Sequence, residues 1–222
     1  MSTPGSYTTE THDMLAVHGA LRSAFDSAPA LVGGTGSDPA RVATVTSFYL
    51  NALEFLRVHH QGEDELIYPT LKERCPDQLA ILQQVEDQHT LIAVPTDTSQ
   101  AALAAWQSAP SASTAADVVG QLGSVAEAME PHFANEEVDI LPLASAWLSP
   151  EEWGVLPGHA LRSFTTDKPW LALGLIRERL DEEHQAAMLE GMPPPVRQLW
   201  LDEWEPAYVG FIGDVRAIAP IA

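Results

Sequence analysis

Basic residues are scarce in this sequence, and cysteine is almost missing. Cys75 is the single cysteine among 222 residues, so no intrachain disulfide can form and no thiolate cluster can hold zinc. Any metal site must therefore be built from imidazole and carboxylate. Eleven Lys and Arg stand against 31 Asp and Glu, a formal charge of −20, and a field of that sign repels phosphate backbones and anionic lipid surfaces. The expectation is a protein with no nucleic-acid and no membrane partner. Apolar runs are short as well. None approaches the ~18 residues that span a bilayer, and no apolar segment follows Met1 as in a secretory leader, which reads as a cytoplasmic protein. Strand-like alternation is also lacking. With 45 % hydrophobic residues and a mean hydropathy of −0.05, enough apolar side chain remains for a folded globular core rather than a disordered chain.

One pattern occurs twice. His132 to Leu143, HFANEEVDILPL, repeats His59 to Leu71, HHQGEDELIYPTL, pairing His59 with His132, Glu63 with Glu136, Asp64 with Glu137, Ile67 with Ile140 and Pro69 with Pro142. Residues four apart share one helix face, so each His and its Glu can hold the same object. A buried carboxylate is costly unless it is paired or metal-bound. Two of them, each one turn from a histidine, call for a cation.

The apolar periodicity predicts where these pairs sit. Met14, His18, Leu21 and Phe25 form the stripe of a first helix ending near Ser27. After the loop LVGGTGSDPAR, Asp38 and Pro39 are a helix cap and first position, and the second stripe is Phe48, Ala52, Phe55, His59, Glu63 and Leu66. Pro69 should end or kink that helix near Tyr68. Leu82, Val85, His89 and Ile92 mark a third helix disturbed at Pro95. The stretch SAPSASTAAD reads as a linker with Ser113 or Asp117 as the next cap. Val118, Leu122, Val125, Met129, His132 and Glu136 then give the most regular heptad of the chain, despite Pro131. Four such helices define an all-α, up-and-down four-helix bundle over residues 1–150. Residues 151–222 form a C-terminal helical extension, with SPEEW opening one helix and further helices at about 167–190 and 196–217. The extension is expected to dock on the bundle. Its stripe of Trp200, Trp204, Tyr208 and Phe211 either finishes the core or covers a route to the site.

His18, His59, Glu63, His89, His132 and Glu136 thus face one interior, an imidazole from each helix and two carboxylates. Two ions about 3.5–4 Å apart, bridged by both Glu side chains, would use all six, and these donors suit iron or manganese. A metal-free His–Glu hydrogen-bonded core is the competing reading. Asp64, Glu65 and Glu137 belong to the solvated face or steady the ligand imidazoles. His12 lies off the stripe, His159 and His184 lie outside the repeat on the surface, and Cys75 has no base partner in sequence.

The same six residues, with the phrases HHQGEDELIYP and HFANEEVDILPL, resemble the hemerythrin-like proteins with HHE cation-binding domains. The resemblance spans about residues 10–150. It implies a hemerythrin-like bundle, a non-haem di-iron centre with an oxo or hydroxo bridge, and those six residues as ligands. Members that carry oxygen reversibly use two histidines spaced by four on the third helix, whereas here that position is Ala93. His60, Glu86 or solvent is left to fill it, with His60 favoured. The alternative for His60 is packing against Tyr49, Leu53 and Leu56. His59, not His60, aligns with His132, and Phe133 occupies the place matching His60. The functional expectation is a metal-binding protein that binds or reacts with dioxygen, peroxide or nitric oxide. A peroxide-decomposing or oxygen-activating oxidoreductase, and an iron or oxygen sensor, are the alternatives.

Overall fold

The computed structural model describes residues 7–217, and among them helices are the only regular structure, with no strand. α1 (His12–Asp26) is followed by a short α2 (Ala28–Gly33). α3 (Pro39–Gly62) continues through a π-turn (Glu63–Ile67) into α4 (Tyr68–Arg74), and a 3₁₀ turn (Pro76–Gln78) leads to α5 (Leu79–Ser108). α6 (Ala112–Asn135) continues through a second π-turn (Glu136–Ile140) into α7 (Leu141–Trp147). α1 packs on α3, α3 on α5, α5 on α6 and α6 on α1, which closes the ring of an up-and-down bundle.

Local chemistry sets most helix boundaries. Asp38 accepts a hydrogen bond from the Ala40 amide with Pro39 at the first position, as expected. Ahead of it, Gly36 turns the chain at φ 68°, a conformation that costs glycine little. Part of the expected loop is the helical turn α2. The fourth helix starts at Ser111 rather than at Ser113 or Asp117, because Ser111 and Thr114 satisfy each other's backbone amides reciprocally. The expected linker is therefore mostly helix. α5 also passes through Pro95 unbroken.

Of the end or kink expected at Pro69, the end does not occur; the backbone distorts there instead. Proline cannot donate to the carbonyl four residues back, and its ring presses on that carbonyl. A wider turn relieves both: Tyr68 donates its amide to the Glu63 carbonyl, five residues back, just before Pro69. Leu141 does the same to Glu136 before Pro142, and Glu205 to Trp200 before Pro206. Both copies of the repeat thus carry a π-turn that begins on the carboxylate residue itself.

Beyond the bundle come α8 (Pro150–Trp153), α9 (Leu156–Ser163), α10 (Trp170–Arg177), α11 (Glu182–Gly191) and α12 (Pro194–Leu199). A third π-turn (Trp200–Trp204) then runs into α13 (Glu205–Arg216). The expected 167–190 helix is two, because Asp181 accepts from the His184 amide and restarts the chain as a cap. α10 and α13 lie on α3, and α10 also touches α1. Leu171, Leu175, Trp200, Tyr208, Ile212 and Val215 join the same buried cluster as Phe25, Tyr49 and Leu53. Gly174 is where the approach is closest: a Cβ there would stand 2.2–2.5 Å from the Tyr208 ring. Gly174→Ala is expected to cost about 1–3 kcal/mol by overpacking. Thermal unfolding should then show Tm lowered by roughly 2–12 °C, and an unchanged Tm would refute this packing.

Two apolar clusters fill the bundle. The upper one runs from Leu21, Leu56, Ile92 and Met129 away from the site, and the lower one holds Met14, Ile67, Val85 and Ile140. On every rod, the six residues expected as ligands fall between the two. Among the described residues no helix is long and apolar enough to cross a membrane.

Candidate metal centre

The polar layer takes His18 from α1, His59 and His60 from the last turn of α3, His89 from α5 and His132 from the last turn of α6. Glu63 and Glu136 come from the first positions of the two π-turns. All seven are buried, none more than 8 % exposed. Their donor atoms form three groups within which every atom lies less than 4.8 Å from the others: His18, His59, Glu63 and Glu136; Glu63, His89, His132 and Glu136; and His59, His60 and His132. Both carboxylates belong to the first two groups. Glu136 Oε2 stands 3.3 Å from His18 Nε2 and 3.4 Å from His132 Nε2. Glu63 Oε2 stands 3.5 Å from His89 Nε2, and Glu63 Oε1 stands 3.6 Å from His59 Nδ1. The structure thus brings together all six expected ligands, and His60 with them.

Several atoms of this layer have no hydrogen-bond partner: His18 Nε2, His59 Nε2, His60 Nε2, His132 Nδ1, Glu63 Oε2 and Glu136 Oε2. Leaving a buried polar atom unsatisfied costs about 1–3 kcal/mol, and cations placed among these donors would satisfy several of them together. The residues present therefore fit a metal centre. Charge is spread unevenly across the layer. Burial opposes the charged form of His18, yet the Glu136 carboxylate 3.3 Å away and the hydrogen bond to Glu137 override it and push the imidazole up to about 9. The same contest, settled by Asp64 and Glu63, pushes His89 up to about 10. Burial and the neighbouring Glu136 raise the Glu63 carboxyl to about 8. Glu136 itself is held well below the ordinary carboxylate range, because the His18 imidazole 3.3 Å away and the other surrounding imidazoles outweigh its burial. Burial brings His132 down to about 4 and also lowers His59 and His60, which keeps their lone pairs free.

The acid that follows each glutamate orients an imidazole on another rod. Asp64 Oδ1 lies 2.9 Å from His89 Nδ1, and Glu137 Oε1 lies 2.9 Å from His18 Nδ1. Glu137 is held in turn by Arg22 at 2.7 Å, which also grips Glu130. Each pair fixes the ring so that Nε2 points into the layer, the arrangement that second contacts give metal-bound histidines.

Two residues at the centre are not evident in the repeat. Tyr68 is buried and donates its hydroxyl to Glu136 Oε1. Trp153 closes a void of about 10 Å³ lined by Met14, Glu63, Tyr68, Glu136 and Leu141, and its indole N–H is held by Asp13 at 3.1 and 3.3 Å. The cover over the carboxylates therefore comes from SPEEW and not from the α13 stripe. That stripe lies at the other end of α3: Tyr208 stands against Gly174, and Arg41 reaches the Asp214 and Val215 carbonyls. The available signal was Ser149 with Glu152, a capping box that fixes the helix carrying Trp153.

Two other expectations, for Glu86 and His159, need correction. Glu86 is not in the layer; it pairs with Lys72 of α4, on the flank of α5. His159 is half-buried rather than on the surface, 3.4 Å from Glu65 and beside Gly62. His12 and His184 are exposed, their rings 6.4 Å apart. Cys75 is buried, and burial raises its thiol, so it offers no thiolate nucleophile.

A four-helix bundle with a buried layer of imidazoles bridged by two carboxylates defines a metal-binding helical protein. The model of the hemerythrin HHE cation-binding domain matches residues 9–144, and the chain belongs to that family. Comparison with curated proteins and with solved structures finds no match. The family match ends before α8, so Trp153 stands outside it.

Proposed function

We propose that this protein is a non-haem di-iron protein of the cytoplasm that binds or reacts with dioxygen, peroxide or nitric oxide. The observation that carries the reading is the sharing of Glu63 and Glu136 by two four-donor groups. Two ions that share both carboxylates would use every donor of those two groups, with His18 and His59 completing one position and His89 and His132 the other. Imidazole and carboxylate in this ratio suit iron, and iron at both positions would supply the redox chemistry. The chain's own part is positional. Asp64 and Glu137 fix two rings, the apolar clusters exclude water, and the Tyr68 phenol holds a proton against Glu136 at the wall of the void. The void has room for about one water-sized molecule, which favours a ligand of two or three atoms over an organic substrate.

Metal analysis with an optical spectrum of aerobically purified protein tests the reading. About two irons per chain and near-ultraviolet absorption are expected. Protein that stays free of iron after anaerobic reconstitution with ferrous ion would overturn it. A pH series adds an independent check. In the metal-free protein at pH 7, protons occupy His18, His89 and Glu63, whose pKa values are about 9, about 10 and about 8. Incoming ions must displace them, so proton competition is strongest at low pH and fades as pH rises through 8 and beyond. Cobalt(II) affinity should rise by about tenfold or more per pH unit between pH 6.5 and 8, read by competition with a chelator. A flat profile would mean that those protons do not share the metal's seats.

A further inference from the structure

We infer that His60 is a further metal ligand, serving the ion held by His89 and His132 and supplying the nitrogen that Ala93 does not. The inference rests on the di-metal reading and deepens it. The His60 ring is surrounded by imidazoles: its centroid lies 4.0 Å from His89, 4.9 Å from His132 and 5.3 Å from His59. Its Nε2 is buried and without a hydrogen-bond partner, and its donor atom falls within 4.8 Å of those of His59 and His132. No carboxylate pairs with it among the described residues, unlike His18, His59, His89 and His132. A buried imidazole nitrogen with no hydrogen-bond partner gains nothing from its lone pair unless a cation takes it.

The second copy of the repeat supplies an internal comparison. There the position equivalent to His60 is Phe133, which stacks on His18 at 4.0 Å and 6°. His60 stacks on His89 in the same way, at 4.0 Å and 18°. Where stacking alone is required, the chain uses phenylalanine. At His60 the same place holds a ring with donor atoms, and the two metal positions become unequal, one with two imidazoles and one with three. Ala93 is exposed on α5 and cannot provide the third.

The Phe133 geometry makes His60→Phe the informative variant, because it keeps the stacked ring and removes only the donors. Full-length wild type and variant are loaded with cobalt(II) under nitrogen. Stoichiometry, chelator competition and the visible d–d spectrum are then measured, with X-ray absorption of the iron-loaded forms to count imidazoles. The variant should melt no earlier than wild type when metal-free. It should hold one cobalt normally and the other at least about tenfold more weakly, with about half an imidazole fewer per metal on average. In His60→Gly, millimolar imidazole should restore the affinity and the spectrum. Unchanged cobalt affinity and spectrum in His60→Phe would reduce His60 to a stacking residue. Weakened binding that imidazole cannot rescue would equally overturn ligation. A wild type that binds no metal would overturn the di-metal reading as well, and is told apart by its own titration.

Discussion

Replacing Glu136 with alanine is expected to empty both metal positions, not one. Glu136 belongs to both four-donor groups, 3.3 Å from His18 and 3.4 Å from His132, so its removal deletes a donor from each. It also takes away the partner that most raises the His18 pKa and the acceptor of the Tyr68 hydroxyl. Loss of an orienting partner alone typically weakens metal binding 10–100-fold, roughly, and a shared carboxylate should exceed that. Reconstituted Glu136→Ala should therefore retain a small fraction of the wild-type iron, while the exposed neighbour Glu127→Ala should retain all of it. The metal-free variant should still fold, because an imidazole left without its carboxylate can lose its proton instead of standing as a buried charge. Retention of one full equivalent of iron by Glu136→Ala would show that the carboxylate is not shared.

Removing residues 150–222 is expected to prevent stable folding of the remaining bundle. Leu171, Leu175, Trp200, Tyr208, Ile212 and Val215 complete the upper cluster, and burying each contributes about 1.5–3 kcal/mol. Their sum is comparable with the roughly 5–15 kcal/mol by which whole domains are stable. Polar partners would be lost with them. Glu54, almost buried, accepts from the Thr165 amide at 2.7 Å and hydroxyl at 2.6 Å, and truncation would leave it only Arg57 three residues away. The truncated chain should aggregate or melt more than about 10 °C earlier. A soluble product with the wild-type Tm would refute the dependence.

The centre was legible in the sequence because its rule is local. A His and a Glu four residues apart share a helix face whatever the surrounding fold, and repetition of that spacing distinguished His59, Glu63, His132 and Glu136 from stray polar residues. His18 and His89 followed from their place in apolar stripes, whereas for Asp64 and Glu137 the sequence left open a solvated face or a contact to the imidazoles. What was not legible depends on backbone or distant contacts. Pro69 reads in sequence as a helix end or kink, and the π-turns that carry the chain past it and past Pro142 do not show there. Glu86 sits one turn from His89 in sequence, but it pairs with Lys72 on a neighbouring rod and lies outside the layer. Trp153 reaches the carboxylates only because its helix folds back against Asp13, about 140 residues away, a separation confirmed by that hydrogen bond. An aromatic stripe in α13 was the more visible signal, yet it finishes the core at the opposite end.

The polar layer has a further consequence for how the molecule comes apart. It crosses the whole bundle, and Val17 is the one partly buried hydrophobic that packs against both apolar clusters among the described residues. The lower cluster, gathered from α4, α7, α8 and the adjoining ends of α1 and α5, is smaller than the upper one and is expected to behave as a separate cooperative unit that opens while the rest stays folded. A cation that binds the layer only when closed adds its binding free energy to the closing of that end. Occupancy of the centre would then govern the local order of one end of the molecule, with the upper core left as a constant scaffold.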